Sequence, residues 1–354
     1  MTENLPPEGF GGFTGAMVRF TGQALPESPR IAVISNDAIG NFVIATPLLQ
    51  MLKAQYPSAT LEYFAGTRVN QFLRASGTEA LFDRAYPLHG TSAAEAFATV
   101  SLGSFDFVFN MESTTFSKVV AAALVKQDGF VAGPCLDGEG RGDLAYGDDD
   151  RGDLWRDRRW IDEDITVRYP FLTTGWIGEM FCRLAYLNGP IPAYRVPSAD
   201  PGRDVPDVLI ATSASLPEKL WSVEKWLDVL PQLGVSVGLI GAPARDQGRY
   251  WKGASLEDDL VAAGVVQDLR GQFSLPEVVG ALGRASAVLS LDNGILHLAA
   301  AAGTPTVGLF RHGIHRLWAP PFDALTILTP GSEERLVAEI DVAVVADAMR
   351  NALS

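Results

Sequence analysis

The segment of this 354-residue chain best suited to chemistry is Leu291-Asp292-Asn293-Gly294-Ile295-Leu296-His297. An apolar run over 287–291 reads as a buried strand, and a helix over 295–302 starts almost at once and is closed by Gly303. The start of a helix presents unpaired N–H groups and the positive end of its dipole, so a phosphate is stabilised there. Gly294 lets a ligand approach the backbone closely. His297 lies one turn in, where it either faces the same crevice or is an ordinary buried histidine. A second group, Thr212-Ser213 with Lys219, follows a short strand over 208–211. Hydroxyl donors and a point charge suit a diphosphate, and a surface lysine would explain the same residues. Gly241 ends a strand over 235–240, at an edge where a nucleoside could rest.

The third group is Asn36-Asp37-Ala38-Ile39-Gly40-Asn41, between a strand over 30–35 and a helix running to 55. Asp37 is open to three readings there: a base, a helix cap or a structural hydrogen bonder. His312 and His315 follow a strand over 306–310 and are site candidates at another carboxyl edge. With His89 they share no metal-ligand spacing with a carboxylate cluster. The chain has no G-x-G-x-x-G, Walker or G-x-S-x-G signature, which counts against a dinucleotide dehydrogenase, a P-loop NTPase and a serine hydrolase.

All these groups sit where strands end, so the elements around them matter. Further strands are expected over 60–64 and 105–110, and helices over 117–125, 222–233 (Ser222 as N-cap) and 274–282. Strands alternating with helices argue for parallel sheets covered on both faces, and a proline-rich linker divides the pattern into two doubly wound α/β domains. The expected layout is an extension over 1–29, a first domain over 30–190, a linker over 191–206, a second domain over 207–332 and a C-terminal helix over 333–354. Within the first domain, the acid-rich stretch 137–164 reads as a solvated insertion or an acceptor-contacting loop.

Composition narrows the class. At 47% apolar residues the chain can fill real cores. Two cysteines, Cys135 and Cys182, are too few for a disulfide framework and fit a reduced cytoplasmic setting. Residues 1–20 lack the basic start and apolar core of a signal peptide. The longest uncharged stretch, 293–310, is broken by Gly303 and Pro305 and is no spanning helix. A net charge of −14 repels nucleic acid and anionic lipid at long range, so no nucleic-acid partner and at most peripheral membrane contact are expected.

Five segments together resemble, in order and spacing, the bacterial heptosyltransferase-type glycosyltransferases (glycosyltransferase family nine). They are Val33-Ile34-Ser35-Asn36-Asp37-Ala38-Ile39-Gly40-Asn41; Thr212-Ser213 with Lys219-Leu220-Trp221 and Trp226; Leu269-Arg270-Gly271-Gln272-Phe273-Ser274-Leu275; Asp292 to Ala300; and Gly303 to Phe310. The similarity runs over about 30–310, is weakest over 85–205 and is absent from 1–29. It implies a GT-B fold: two facing Rossmann-like, doubly wound domains with an interdomain cleft, acceptor on the first and nucleotide-sugar on the second. It also implies inverting transfer with no metal and no cofactor, the nucleotide-diphospho-sugar being a co-substrate and ADP-heptose the usual donor. Carried over, Thr212, Ser213, Lys219, Asn293 and Gly294 would hold the diphosphate. Asp292 and His297 would belong to the donor pocket and Gly241 would lie near the nucleoside; Gly40 and His312, at other strand ends, are the acceptor-side candidates.

The chain departs from the family pattern at three places. The usual catalytic aspartate directly follows the glycine of the first motif, where this chain has Asn41, and an amide cannot take a proton from a hydroxyl. Deprotonation of the acceptor then falls to Asp37, the first choice for a base, to a histidine or to the acceptor itself. Ser35 or Asn36 replaces a basic residue, and Arg311-His312-Gly313 replaces a Gly-Pro. The expected function is transfer of a sugar, foremost heptose from ADP-heptose, to a small-molecule, glycan or protein acceptor, with the acidic charge favouring a soluble acceptor over lipopolysaccharide. A nucleotide-sugar epimerase of the same fold, or a catalytically degenerate nucleotide-sugar-binding protein, is the alternative that Asn41 motivates.

Overall fold

The computed structural model describes residues 17–88, 100–138, 140, 142–243, 246, 255–331 and 336–354. The chain divides into two compact units. The first takes the chain up to Trp160 with Asp164–Thr174 and Gly178–Pro192, and the second takes Ile161–Glu163, Gly175–Ile177 and Ala193–Ser354. His89, residues 1–16 of the expected extension and residues 333–335 of the expected last helix lie outside the described residues.

In the first unit six strands form one parallel sheet: β1 (Val18–Arg19), β2 (Arg30–Ile34), β3 (Thr60–Ala65), β4 (Arg84–Pro87), β5 (Phe105–Asn110) and β6 (Val125–Ala132). Their order across the sheet is β1-β6-β5-β2-β3-β4. From β2 the chain winds outward through β3 and β4, then returns to place β5 on the other side of β2. The winding direction therefore reverses between β2 and β5, and in open α/β sheets a ligand crevice forms outside the strand ends at that point. The register sets Ile34 opposite Asn110, so the residues following both strands emerge side by side.

The short strands are apolar because both sheet faces are covered. Ile31 to Ile34 and Phe107 to Phe109 are fully buried. Helix α1 (Ile39–Gln55) is buried from Phe42 to Leu49 and tolerates Pro47 in its interior. Phe42 packs on Tyr63 and Phe72, with ring centroids 5.7 and 5.3 Å away. Helix α2 (Thr115–Leu124) is capped by Thr114, whose hydroxyl accepts from Ser117 N at 3.1 Å.

Two expectations for this unit need correction. Residues 18–19 are not part of a loose arm: β1 pairs with β6, and the Arg19 guanidinium donates to the carbonyls of Leu144 and Ala145 at 2.6 and 2.9 Å. Nor is the acid-rich stretch a plain solvated loop. It holds helix α3 (Asp150–Arg156), capped by Asp149, with Leu154 fully buried and Trp155 stacked on Tyr146 at 5.8 Å. The charges mark helix ends there, while the aromatic residues between them pack inward.

The second unit repeats the plan. Strands β7 (Val208–Ala211), β8 (Val237–Leu239), β9 (Gln267–Asp268), β10 (Ala287–Leu291), β11 (Thr306–Leu309) and β12 (Leu325–Leu328) form a parallel sheet in the order β12-β11-β10-β7-β8-β9. Its winding reverses between β7 and β10. Helices α4 (Val223–Gln232), α5 (Ser255–Ala262), α6 (Leu275–Leu282), α7 (Gly294–Ala302) and α8 (Val342–Ala352) complete it. Ser274 and Glu277 form a reciprocal capping box at α6. Ser222 stands at the N-cap position of α4 but makes no capping bond with its side chain. The last helix starts at Val342 rather than near 333, preceded by a single 3₁₀ turn, Val337–Glu339. Trp221 and Trp226 meet edge-to-face at 5.1 Å in the core, and the Trp221 indole donates to Ile340 O at 2.9 Å. Among the described residues no helix is long and apolar enough to cross a membrane, and no group of three or more His, Cys, Asp and Glu side chains is placed to hold a metal ion.

Candidate functional site

The expected site residues fall into two clusters, one at the winding reversal of each sheet. In the second unit, Thr212 and Ser213 follow β7, and Asp292, Asn293 and Gly294 follow β10. Asn293 joins the two: its amide nitrogen donates to Ser213 O at 2.9 Å, and its carbonyl oxygen accepts from Ile295 N at 2.9 Å and Leu296 N at 3.4 Å. The start of α7 is thus partly satisfied by its own cap, with Gly294 as the first residue of the helix. Lys219 reaches the same point. Its Nζ lies 2.6 Å from Asp292 Oδ2 and 3.3 Å from Asp292 O. Both side chains are largely buried, which holds one cation beside the helix start.

Three of the other donor-side candidates make bonds of their own within this unit. Thr212 is buried, and its hydroxyl donates to Glu257 Oε1 at 3.1 Å. The Gly241 carbonyl accepts from Gly271 N at 2.9 Å. His297 is buried rather than open to a crevice, with its Nδ1 3.2 Å from the Tyr194 hydroxyl. Burial pulls its pKa down from 6.5 to about 4, Asp292 opposing and Lys219 adding to the shift, so the imidazole is neutral at physiological pH. His312 and His315 stand together after β11 with ring centroids 6.1 Å apart, and desolvation and the adjacent Arg316 lower the pKa of His315.

In the first unit, Asn36, Asp37, Gly40 and Asn41 lie between the end of β2 and the first turn of α1. Asp37 does not cap the helix. Its Oδ1 accepts from Arg68 N at 2.6 Å, and its Oδ2 lies 2.9 Å from Arg68 Nε. It also fills the space over Gly66, where an added Cβ would come within 2.1 Å of Asp37 Oδ1. Both carboxylate oxygens therefore bind the loop after β3.

The group that sequence reasoning missed is Glu112. It follows β5 directly across from Asn36, and its Oε1 accepts from Asn36 Nδ2 at 2.9 Å. The Asn36 carbonyl oxygen accepts from Ala38 N at 2.8 Å, which turns the amide nitrogen toward Glu112. Asn41 also hydrogen-bonds the Glu112 carboxylate. Burial outweighs both bonds and raises the carboxyl pKa from 4.5 to about 7. Its backbone is pinned from both sides: Glu112 N donates to Asn110 Oδ1 at 3.0 Å, and Glu112 O accepts from Ser117 Oγ at 3.0 Å. The one sequence signal was a carboxylate two residues past the end of a buried strand, among 42 acidic residues.

Residues 193–336 match the profile of glycosyltransferase family 9 (heptosyltransferase). No curated protein matches the chain in sequence. In structure it is similar to a glycosyl transferase family 9 protein from Veillonella parvula, with 16% identity over 94% of this chain and 98% of that one, at a TM-score of 0.67. It is similar to the ADP-heptose lipopolysaccharide heptosyltransferase II of E. coli, with 17% identity over 92% and 98% and a TM-score of 0.64. An E. coli heptosyltransferase bound to ADP-2-deoxy-2-fluoro heptose follows at 14% identity over 91% and 99%, with a TM-score of 0.57. The two parallel-sheet α/β units thus belong to the GT-B fold, as the sequence resemblance implied.

Proposed function

From a glycosyltransferase family 9 (heptosyltransferase) domain over residues 193–336, we propose that the chain transfers a sugar from a nucleotide diphosphate to an acceptor, with ADP-heptose as donor. The observation that carries this reading is the Lys219–Asp292 pair beside the Asn293-capped start of α7, at the reversal point of the second sheet. As the glycosidic bond breaks, negative charge grows on the diphosphate oxygen. A fixed lysine and the start of α7 stabilise the developing charge more than the starting state. Ser213 adds a hydroxyl, and Asn293 holds the two strand ends together.

In this reading the displacement is direct and inverts the anomeric centre. Lys219 supplies the positive charge, so no metal is assigned to the reaction. The acceptor is a soluble hydroxyl or amine compound, in keeping with the net charge of −14. His297 has a supporting role: it fills the core under α7 and keeps Asp292 company without carrying charge of its own.

The test is thermal unfolding with ADP, UDP, GDP and ADP-heptose. A ligand at 100 times its dissociation constant stabilises the native state by about 2.7 kcal/mol. ADP and ADP-heptose are expected to raise the midpoint, and Lys219→Met to abolish most of the rise. Equal silence toward all four nucleotides refutes the reading.

A further inference from the structure

The first unit presents a carboxylate that the established pattern does not use, next to the amide that occupies the usual base position. We propose that Glu112 is the general base, taking the acceptor proton that Asn41 cannot take. This inference rests on the glycosyltransferase reading above. Glu112 stands at the reversal between β2 and β5, where the topology opens a crevice to ligand. Asn36 and Asn41 bind its carboxylate as neutral donors. They orient it without a paired cation such as the Arg68 guanidinium that holds Asp37. The backbone bonds to Asn110 and Ser117 fix where it points.

The surrounding charges agree with this role. Tyr63 on β3 is fully buried and feels the Glu112 charge, which raises its own pKa further. Asp37 is paired with Arg68, and Lys118 on α2 with Asp143. Desolvation therefore decides the affinity of Glu112 for a proton and sets its midpoint near 7, where a base is half ionised at working pH and still strong enough to accept.

The step balances as follows. The acceptor O–H gives its proton to the Glu112 carboxylate, and the freed oxygen pair forms a bond to the anomeric carbon. The bond from that carbon to the β-phosphate oxygen breaks, and its electron pair leaves with ADP. Glu112 then returns its proton to solvent.

The experiment follows ADP release from ADP-heptose with water as acceptor, from about pH 5 to 9, alongside ADP binding and the titration of Glu112 by carbon-13 carboxyl NMR on the full chain. Wild type is expected to release ADP faster as pH rises through about 7, with a Glu112 carboxyl titrating at the same midpoint. Glu112→Gln should bind ADP unchanged, lose at least about 100-fold in rate and lose the inflection. Restoring the family carboxylate in Glu112→Gln/Asn41→Asp should recover part of the rate with a midpoint shifted toward acid. Intact ADP binding with a Glu112→Gln rate within about threefold of wild type overturns the base alone. So does intact binding with no pH-dependent release, or a Glu112 carboxyl that titrates near 4.5. A wild type that binds no ADP overturns the ADP-heptose donor and this step with it, and silence toward UDP and GDP as well overturns the glycosyltransferase reading.

Discussion

A buried acid whose proton affinity is raised on folding leaves a mark on stability that needs no substrate to detect. Glu112 moves from 4.5 to about 7 in the folded chain, and burial is the first cause. At about 1.4 kcal/mol per tenfold change in proton affinity, ionised Glu112 costs the native state about 3 kcal/mol. The sign follows from which state holds the proton. Below 4.5 both states are protonated and the cost is absent. Between 4.5 and 7 only the unfolded chain releases the proton, so rising pH favours unfolding, and above 7 the full cost stands. Glu112→Gln removes the titration. Its stability relative to wild type should therefore climb by about 3 kcal/mol between pH 4.5 and 8, in urea unfolding of the full chain. Any change in packing or hydrogen bonding adds an offset that does not vary with pH. A difference between variant and wild type that stays flat across this range refutes the burial argument.

Three further outcomes are expected. Lys219→Met should weaken ADP binding about tenfold or more by calorimetry, and should destabilise the second unit by leaving Asp292 buried without its cation. The pKa of His297 falls on folding from 6.5 to about 4, so its contribution to stability is complete above 6.5 and is lost as pH falls through that range. Acid melts of His297→Phe should show a loss smaller than wild type by up to about 3 kcal/mol. Gly133 has φ +85°, and an added Cβ would lie 1.9 Å from Asn110 O. Gly133→Ala should thus cost about 2 kcal/mol or more in thermal unfolding and disturb the Glu112 titration through Asn110.

Most of the architecture was readable because it rests on local patterns. Strands such as β5 and β7 are short apolar runs bounded by polar turns, and α6 announces itself through Ser274 and Glu277. The placement of Asp292-Asn293-Gly294 was legible for the same reason: the segment lies between a strand end and a helix start, so its position follows from neighbours in sequence. What was hidden depends on pairing across distance. Glu112 acquires meaning only from Asn36, 76 residues earlier, once β2 and β5 lie side by side. Asp37 looks free until the loop after β3 brings Arg68 to it. His297 has the spacing of a crevice residue, and only the packing of Tyr194 against it makes it a core histidine. At 18–19 the strand is two residues long and carries no periodicity at all.

That two-residue strand has a consequence for how the chain is made. Its partner lies 112 residues further on, since Val18 sits opposite Phe130 and Arg19 reaches Val131. At roughly 5–20 residues per second, a nascent chain waits roughly 6–22 s after making β1 before β6 exists to receive it. Without β1 the outer edge of β6 has no cover, and its open backbone groups are a template for any extended segment nearby. A chain without Val18 and Arg19 would leave that edge of the first sheet open.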